Sequence, residues 1–291
     1  GIGLVLDGIP PGIPLSEADM ESDLKRRMPG AHGTTARREP DVPEILSGVY
    51  RGYTTGAPLA VLFRNSDTMS RDYDRFKETP RPGHADFTAM NKYLGFNDPR
   101  GSGHFSGRIT LVLVAAGVVA KKIIPGLRIE SRVLEIGGSR DYDEKLKEAM
   151  AEGDSLGGLI EVQMNSMPAG LGEPFFNSFE SVLAHLVFSV PAVRGIEFGT
   201  GFAAASMKGS DHNDAIISKD GRTSTNHAGG INGGITNGNS VVFRVAVKPT
   251  PSIHKAQETI NLATGSIEKL EVTGRHDACI ALRSAVVLEA A

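Results

Sequence analysis

The stretch Ile109-Thr110-Leu111-Val112-Leu113-Val114-Ala115-Ala116-Gly117-Val118-Val119-Ala120-Lys121-Lys122 is apolar on nearly every face. A helix with no polar side has to be covered all round. The pattern therefore predicts a helix over 109–124 buried in the middle of the fold, with other elements layered about it. A membrane span is the other home for such a segment. The run Leu111 to Ala120 is closed by Lys121 and Lys122 and has only about half of the roughly 20 residues a span needs. With 291 residues, 40% of them hydrophobic, the chain can bury a core around this helix.

The other elements follow from shorter signals. Residues 1–8 read as a strand ending in the turn Ile9-Pro10-Pro11-Gly12. Ser16 before Glu17, Ala18 and Asp19 predicts a helix start, with a stop near Pro29-Gly30. Two strands are expected over 45–64, around Tyr53-Thr54-Thr55-Gly56. Residues 65–105 are polar, rich in Gly and Pro, and expected to be mostly irregular; long stretches of this kind in compact domains usually carry function. Strands are expected at 128–136, 158–164, near 194–208 and at 240–247. Helices are expected from Tyr142 to Glu152, from Ser178 to Phe188 and from about Ile280. Residues 209–239 are again polar and Gly-rich. Strands and helices do not alternate regularly, which favours α+β over a doubly wound sheet. No repeat and no dividing linker appears, so 1–291 reads as a single domain.

Composition removes several classes of function. The formal net charge is -3, which provides no overall field for nucleic acid or an anionic membrane. The single cysteine, Cys279, cannot form an internal disulfide, in keeping with a reducing compartment. The His, Asp and Glu spacings match no common zinc pattern, so no metal is expected. The 35 glycines suggest tight turns and close approaches of the backbone, either to a ligand or to itself.

Six clusters carry potential chemistry. Lys25, Arg26, Arg27, Arg37 and Arg38 offer guanidinium forks that suit phosphate and carboxylate; a solvated face is the plainer reading. Arg81-Pro82-Gly83-His84-Ala85-Asp86 presents a histidine close to a carboxylate. Arg100-Gly101-Ser102-Gly103-His104-Phe105-Ser106-Gly107-Arg108 feeds the buried helix, as an anion-binding loop would, although it matches neither a Walker loop nor a Rossmann fingerprint. Asn226 to Ile235 is built of small residues and can approach a flat ring or pack on itself. Val247-Lys248-Pro249-Thr250-Pro251-Ser252 offers a charge and two hydroxyls to a phosphate. Gly274-Arg275-His276-Asp277-Ala278-Cys279 sets a cation, a titratable ring and a carboxylate side by side.

In order and content these clusters resemble the chorismate synthases along essentially the whole chain. Ser106-Gly107-Arg108 leading into Val114-Ala115-Ala116-Gly117 is similar to that family's central signature, and Gly274 to Cys279 to its C-terminal one. Arg81 to Asp86, Gly170-Leu171-Gly172-Glu173-Pro174 and Asn226 to Gly234 also match. The resemblance implies an α+β, β-α-α-β sandwich with central helices between antiparallel sheets, an internal pseudo-symmetry, and assembly as a cytoplasmic homotetramer. It implies a phosphate lyase of the shikimate pathway to aromatic amino acids. The reaction is a 1,4-anti elimination converting 5-enolpyruvylshikimate 3-phosphate to chorismate, with reduced FMN as cofactor and NADPH as an indirect reductant. By the same resemblance, His84 and Asp277 are catalytic, His84 beside the flavin and Asp277 assisting proton removal. His104, Phe105, Ser106, Pro191, Ala192, Gly233, Lys248, Pro249, Thr250, Pro251, Ser252 and Arg275 bind the flavin. Arg27 and Arg108 hold the anionic substrate or NADP.

Departures from the family pattern set further expectations. The family's Gly-Glu-Ser-His-Gly segment, whose histidine is thought to protonate the departing phosphate, is expected to precede Gly1, and the C-terminal end to extend past Ala291. Ala31-His32-Gly33 stands where many members have an arginine and one more residue. Pro191-Ala192 replaces an Asn-Ala pair, and His104-Phe105-Ser106 replaces an Arg-Ser-Ser loop. The alternative reading at this point is a flavin-binding relative without catalysis; a nucleic-acid binder using Arg26 to Arg38 is opposed by the charge and the lack of a reader motif.

Overall fold

A computed structural model describes residues 1–35, 39–65, 70–274 and 276–291. Arg37, Arg38 and Arg275 lie outside the described residues. In chain order the elements are β1 (Ile2–Leu6), α1 (Ala18–Arg27), β2 (Pro43–Ser47), β3 (Val49–Tyr50), β4 (Tyr53–Thr54), β5 (Leu59–Phe63), α2 (Asp86–Lys92) and α3 (Thr110–Ile123). Then come β6 (Arg128–Ile136), α4 (Asp143–Ala151), β7 (Gly158–Asn165), α5 (Phe179–Phe188) and β8 (Val193–Phe198). The last part holds α6 (Gly209–His212), β9 (Ile231–Asn232), β10 (Ile235–Thr236), β11 (Val241–Val247), β12 (Gln257–Ile260), β13 (Ile267–Leu270) and α7 (Ala281–Ala290).

Two antiparallel sheets enclose the helices. One has the order β1-β5-β2, the other β6-β7-β11-β8. Helix α7 lies on β6 and β7 and packs its other side on α3 and α1, while α3 reaches β1. The layers therefore run sheet, helix, helix, sheet, which is the β-α-α-β sandwich expected. Leu111, Val114, Ala115, Val118 and Val119 of α3 are buried, as are Val286, Val287 and Leu288 of α7 and Ile160, Val162, Phe243 and Val245 of the four-stranded sheet. Removing that apolar area from water is what holds the layers together.

Two glycines set the distance between the layers. A Cβ on Gly117 would lie 2.5 Å from the Cβ of Ala290, so α3 and α7 touch backbone to backbone there. A Cβ on Gly158 would lie 2.6 Å from the Cβ of Ala281, which lets the other end of α7 sit on β7. Helix α7 is thus clamped at both ends by positions where no side chain fits.

Local details differ from expectation in places. Ser16 does not cap α1: its backbone N–H and its hydroxyl both donate to Asp19 Oδ2, at 2.7 and 3.0 Å, and Glu17 takes the cap position. Ser178 does cap α5, accepting from the Ser181 N–H at 3.1 Å. The stretch 65–105 holds 3-10 turns over Ser70–Lys77 and Arg100–Phe105 and the helix α2. The strand expected near 194–208 ends at Phe198, followed by a 3-10 turn over Gly201–Ser206.

Candidate active site

Several of these elements meet around one cleft of about 970 Å³. The end of α1, the segment ahead of α3, the turn before α2, the loop after β11, the start of α7 and the residues between α5 and β8 all line it. Of the residues expected to act, Arg27, His84, His104, Phe105, Ser106, Arg108, Pro191, Ala192, Lys248, Thr250, Pro251, Ser252 and Asp277 line this cleft. Pro249 does not, although its neighbours do, and neither does Gly233, which turns the β9-β10 hairpin with φ +60 and open space above it.

The first half of the site is built on Arg81. Its side chain is buried, and its Nε and Nη2 donate to the two oxygens of Asp86, each at 2.8 Å. Nη1 donates to Ser252 Oγ and Nη2 to Ser102 Oγ, both at 3.1 Å. Its guanidinium carbon stands 4.3 Å from the Phe76 ring centre, a stacking that suits a planar cation. Asp86 in turn lies 2.7 Å from His84 Nδ1. Burial works against a charge on Asp86, but the hydrogen bonds from Arg81 and His84 outweigh it and hold its carboxyl well below the usual carboxylate range. An ionised Asp86 makes Nδ1 the protonated nitrogen, while Nε2 lies 3.3 Å from Arg81 Nη2. Lys248 Nζ closes this turn by donating to the Gly83 carbonyl at 2.7 Å.

The second half gathers cations. Arg27 is buried; its Nε donates to Thr110 Oγ1 at 2.9 Å and its Nη2 to the Gly107 carbonyl at 3.1 Å. Asp41 sits between Arg27 at 3.4 Å and Arg108 at 2.9 Å, and Glu39 lies 3.8 Å from Arg108. The contact of Arg108 Nη1 with Asp41 Oδ1 has ion-pair distance without hydrogen-bond geometry, and Asp41 Oδ1, like Arg108 Nη2, is buried with no hydrogen-bond partner among the described residues. Burial, and then the nearby Arg283 charge, lower Arg27 to about 10, which still leaves it protonated near neutrality. Ser106 caps the helical turn that carries Arg108, accepting from its N–H at 3.3 Å.

Asp277 stands at the edge of this second half. The Thr35 N–H donates to its Oδ1 at 2.8 Å, and Arg283 Nη1 lies 3.2 and 3.0 Å from its two oxygens. The Ala278 N–H donates to the Gly33 carbonyl at 2.9 Å and so fixes the segment. Beside it, His276 also lines the cleft. Burial, then the Arg81 charge and the neighbouring His254, lower its pKa to about 4, so its ring is neutral at physiological pH. His276 Nε2 and Thr250 Oγ1 are buried without a hydrogen-bond partner among the described residues, a costly state for polar atoms unless a ligand completes it.

Three contributors to this arrangement are not picked out by sequence reasoning. Arg81 stands inside a quoted motif, but its contacts with Ser102 and Ser252 depend on distant parts of the chain. Asp41 and Arg283 carry no local signal: one follows the basic cluster, the other sits within an apolar helix pattern. No group of three or more His, Cys, Asp or Glu side chains able to hold a metal occurs among the described residues. None of the described helices is long and apolar enough to cross a membrane.

The chain is similar to known proteins over its whole length. The family model described as chorismate synthase matches residues 1–291. A chorismate synthase of Chitinophaga pinensis is 58% identical over 290 residues, covering 99% of this chain and 87% of the relative. One from Methanosarcina mazei is 44% identical over 321 residues, covering 99% and 88%. A solved chorismate synthase crystal structure superposes with a TM-score of 0.73 at 28% identity, covering 99% of this chain and 84% of that one.

Proposed function

The chain belongs to the chorismate synthase family of phosphate lyases, and from that premise we propose that its cleft holds 5-enolpyruvylshikimate 3-phosphate against reduced FMN while phosphate is eliminated to give chorismate. The observation that carries this reading is the meeting of Arg27, Arg108, His84 and Asp277 in a single cleft. The substrate brings a phosphate and two carboxylates, and desolvating such anions without fixed counter-charges costs several kcal/mol or more.

The residues present fit a flavin as well as a substrate. A volume of about 970 Å³ stands at the top of the roughly 300–1,000 Å³ common for ligand sites, in keeping with a large ligand set such as flavin and substrate. Thr250 Oγ1, without a partner among the described residues, lies in the loop after β11, where Lys248, Pro251 and Ser252 also face the cleft and suit the phosphate end of FMN. His104, Phe105, Ser106, Pro191 and Ala192 provide further lining for the cofactor. When bound, reduced FMN supplies an electron-rich ring that assists the elimination without net redox change.

The chain's own residues do the rest. Arg27 and Arg108 bind and orient the anionic substrate, with Asp41 keeping both guanidinium groups in place. His84, held by Asp86 at Nδ1 and by Arg81 at Nε2, presents its imidazole to the cleft as the group that stabilises the bound flavin. Asp277 is the carboxylate placed to take a proton. Fixed donors at a departing phosphate are worth roughly 100-fold or more in rate each. NADPH serves as an indirect source of reducing equivalents. The protein works in the cytoplasm as a homotetramer, whose contacts would cover exposed side chains such as Phe175, Phe176 and Phe202.

Phosphate release from 5-enolpyruvylshikimate 3-phosphate, followed anaerobically with chemically reduced FMN, tests the reading. Turnover that depends on reduced FMN is expected. Binding of both molecules with no phosphate released would leave a non-catalytic flavin binder and sink the proposal. Light scattering tests the tetramer, with a monomer as the opposing result.

A further inference from the structure

Arg283 belongs to none of the sequence clusters. It lies in the first turn of α7 and lines the cleft. Its guanidinium is held on two sides. Nε donates to the Arg27 carbonyl at 2.8 Å, at the C-terminal end of α1. Nη1 reaches both oxygens of Asp277, at 3.2 and 3.0 Å. Nη2 makes no hydrogen bond to a described residue.

Three guanidinium groups crowd that edge, and the carboxylates that balance them in number leave their mutual repulsion in place. Arg27 and Arg108 share the Asp41 carboxylate, with Glu39 farther from Arg108, and Arg283 has Asp277. Next to burial, Arg283 is the strongest influence lowering Arg27, so these guanidinium groups repel one another across the cleft wall. An entering anionic oxygen would relieve that repulsion. A planar guanidinium can serve two partners at once, because its donors form a rigid fork.

We propose that Arg283 anchors an anionic oxygen of the substrate through Nη2 while Nη1 orients the Asp277 carboxylate. Substrate binding and the placement of the proton acceptor are then one event. Asp277 touches two separate donors, the Thr35 N–H and Arg283. Both residues line the cleft, but Thr35 reaches Asp277 through a neutral backbone group, whereas Arg283 brings a charge and a second donor. This inference rests on the reading of Asp277 as the group that takes the proton.

Steady-state kinetics of Arg283→Gln and Arg283→Lys, with reduced FMN saturating and the substrate varied, test it. Losing a charge-assisted hydrogen bond to an anion raises KM for the substrate roughly tenfold or more in R283Q, and kcat falls about tenfold with the loosened Asp277. In R283K the ammonium restores charge but not the fork, so KM returns to within about threefold of the parent while kcat stays low. Millimolar guanidinium chloride restores part of the R283Q turnover. Thermal melting is followed in parallel, and R283K carries the test where R283Q does not fold. Unchanged KM and kcat in R283Q overturn the inference, as does full recovery of both by lysine, which is the outcome of a merely structural cation. A parent protein that releases no phosphate overturns the function proposed above and is told apart by that control alone.

Discussion

Arg81 grips Asp86 through two parallel hydrogen bonds, Nε to Oδ2 and Nη2 to Oδ1, each 2.8 Å long. The same carboxylate lies 2.7 Å from His84 Nδ1, so one fork fixes both the ion pair and the orientation of the histidine.

Asp86→Asn is therefore expected to act twice. Arg81, buried, loses its counter-charge, which costs about 3–5 kcal/mol where such a pair is deeply buried. His84 loses the charged carboxylate that fixes its tautomer, since an amide can turn its NH2 towards the ring as readily as its oxygen, and kcat falls by roughly 100-fold or more. Thermal melting and phosphate release measure the two effects separately. A variant that keeps full activity would show that His84 does not depend on Asp86.

The same carboxyl predicts an acid limit. Asp86 is held below its ordinary range in the folded state, whereas an unfolded aspartate titrates near 3.9. Its contribution to stability is complete above that value and is lost progressively as the pH falls below it. Below about pH 4, the melting temperature should therefore depend less steeply on pH in Asp86→Asn than in the parent.

His276 predicts a second window at higher pH. Its folded value of about 4 lies below the roughly 6.5 of an unfolded histidine. Between these values the unfolded chain binds a proton that the folded one refuses, so stability declines as the pH drops through the window. His276→Gln removes that decline. The melting temperature of the parent, measured relative to the variant, should fall steadily from neutral pH towards about pH 4; parallel curves across the window would contradict the assignment.

Glu289 holds the far end of α7. It accepts from Arg26 at 2.7 and 2.5 Å and from Ser131 Oγ at 2.5 Å, with Lys121 at 3.5 Å. Glu289→Gln is expected to cost roughly 2 kcal/mol, the scale of charge-assisted hydrogen bonds on a partly exposed partner. Urea unfolding measures this. KM for the substrate should not change, because Glu289 is not among the residues lining the cleft.

How far the fold and the site are legible in the sequence depends on how local each cause is. Helix α3 declares itself because its apolar residues cover every face, and β6 and α4 lie close to where the periodicity of their side chains puts them. The β12-β13 hairpin escapes, since its residues are mostly exposed and give little alternation. The 3-10 turns within 65–105 escape because a 3-10 run repeats every three residues and shows no 3.6-residue apolar period to read. His84 and Asp86 can be paired from a spacing of two residues. Arg81 with Ser252, or Arg283 with the Arg27 carbonyl, cannot, because those contacts exist only after the layers have closed.

Gly117 meets Ala290 away from the cleft and yet governs it. Gly117→Ala should gain about 1 kcal/mol of helix propensity, but its methyl would fall 2.5 Å from Ala290 Cβ, an overlap that costs roughly 1–3 kcal/mol to relieve. Helix α7 would have to shift or tilt, and Arg283 rides on it. The aperture of the cleft is thus calibrated from outside: a spacer of no width, buried between two helices, sets how far Arg283 can stand from the arginines on the facing elements.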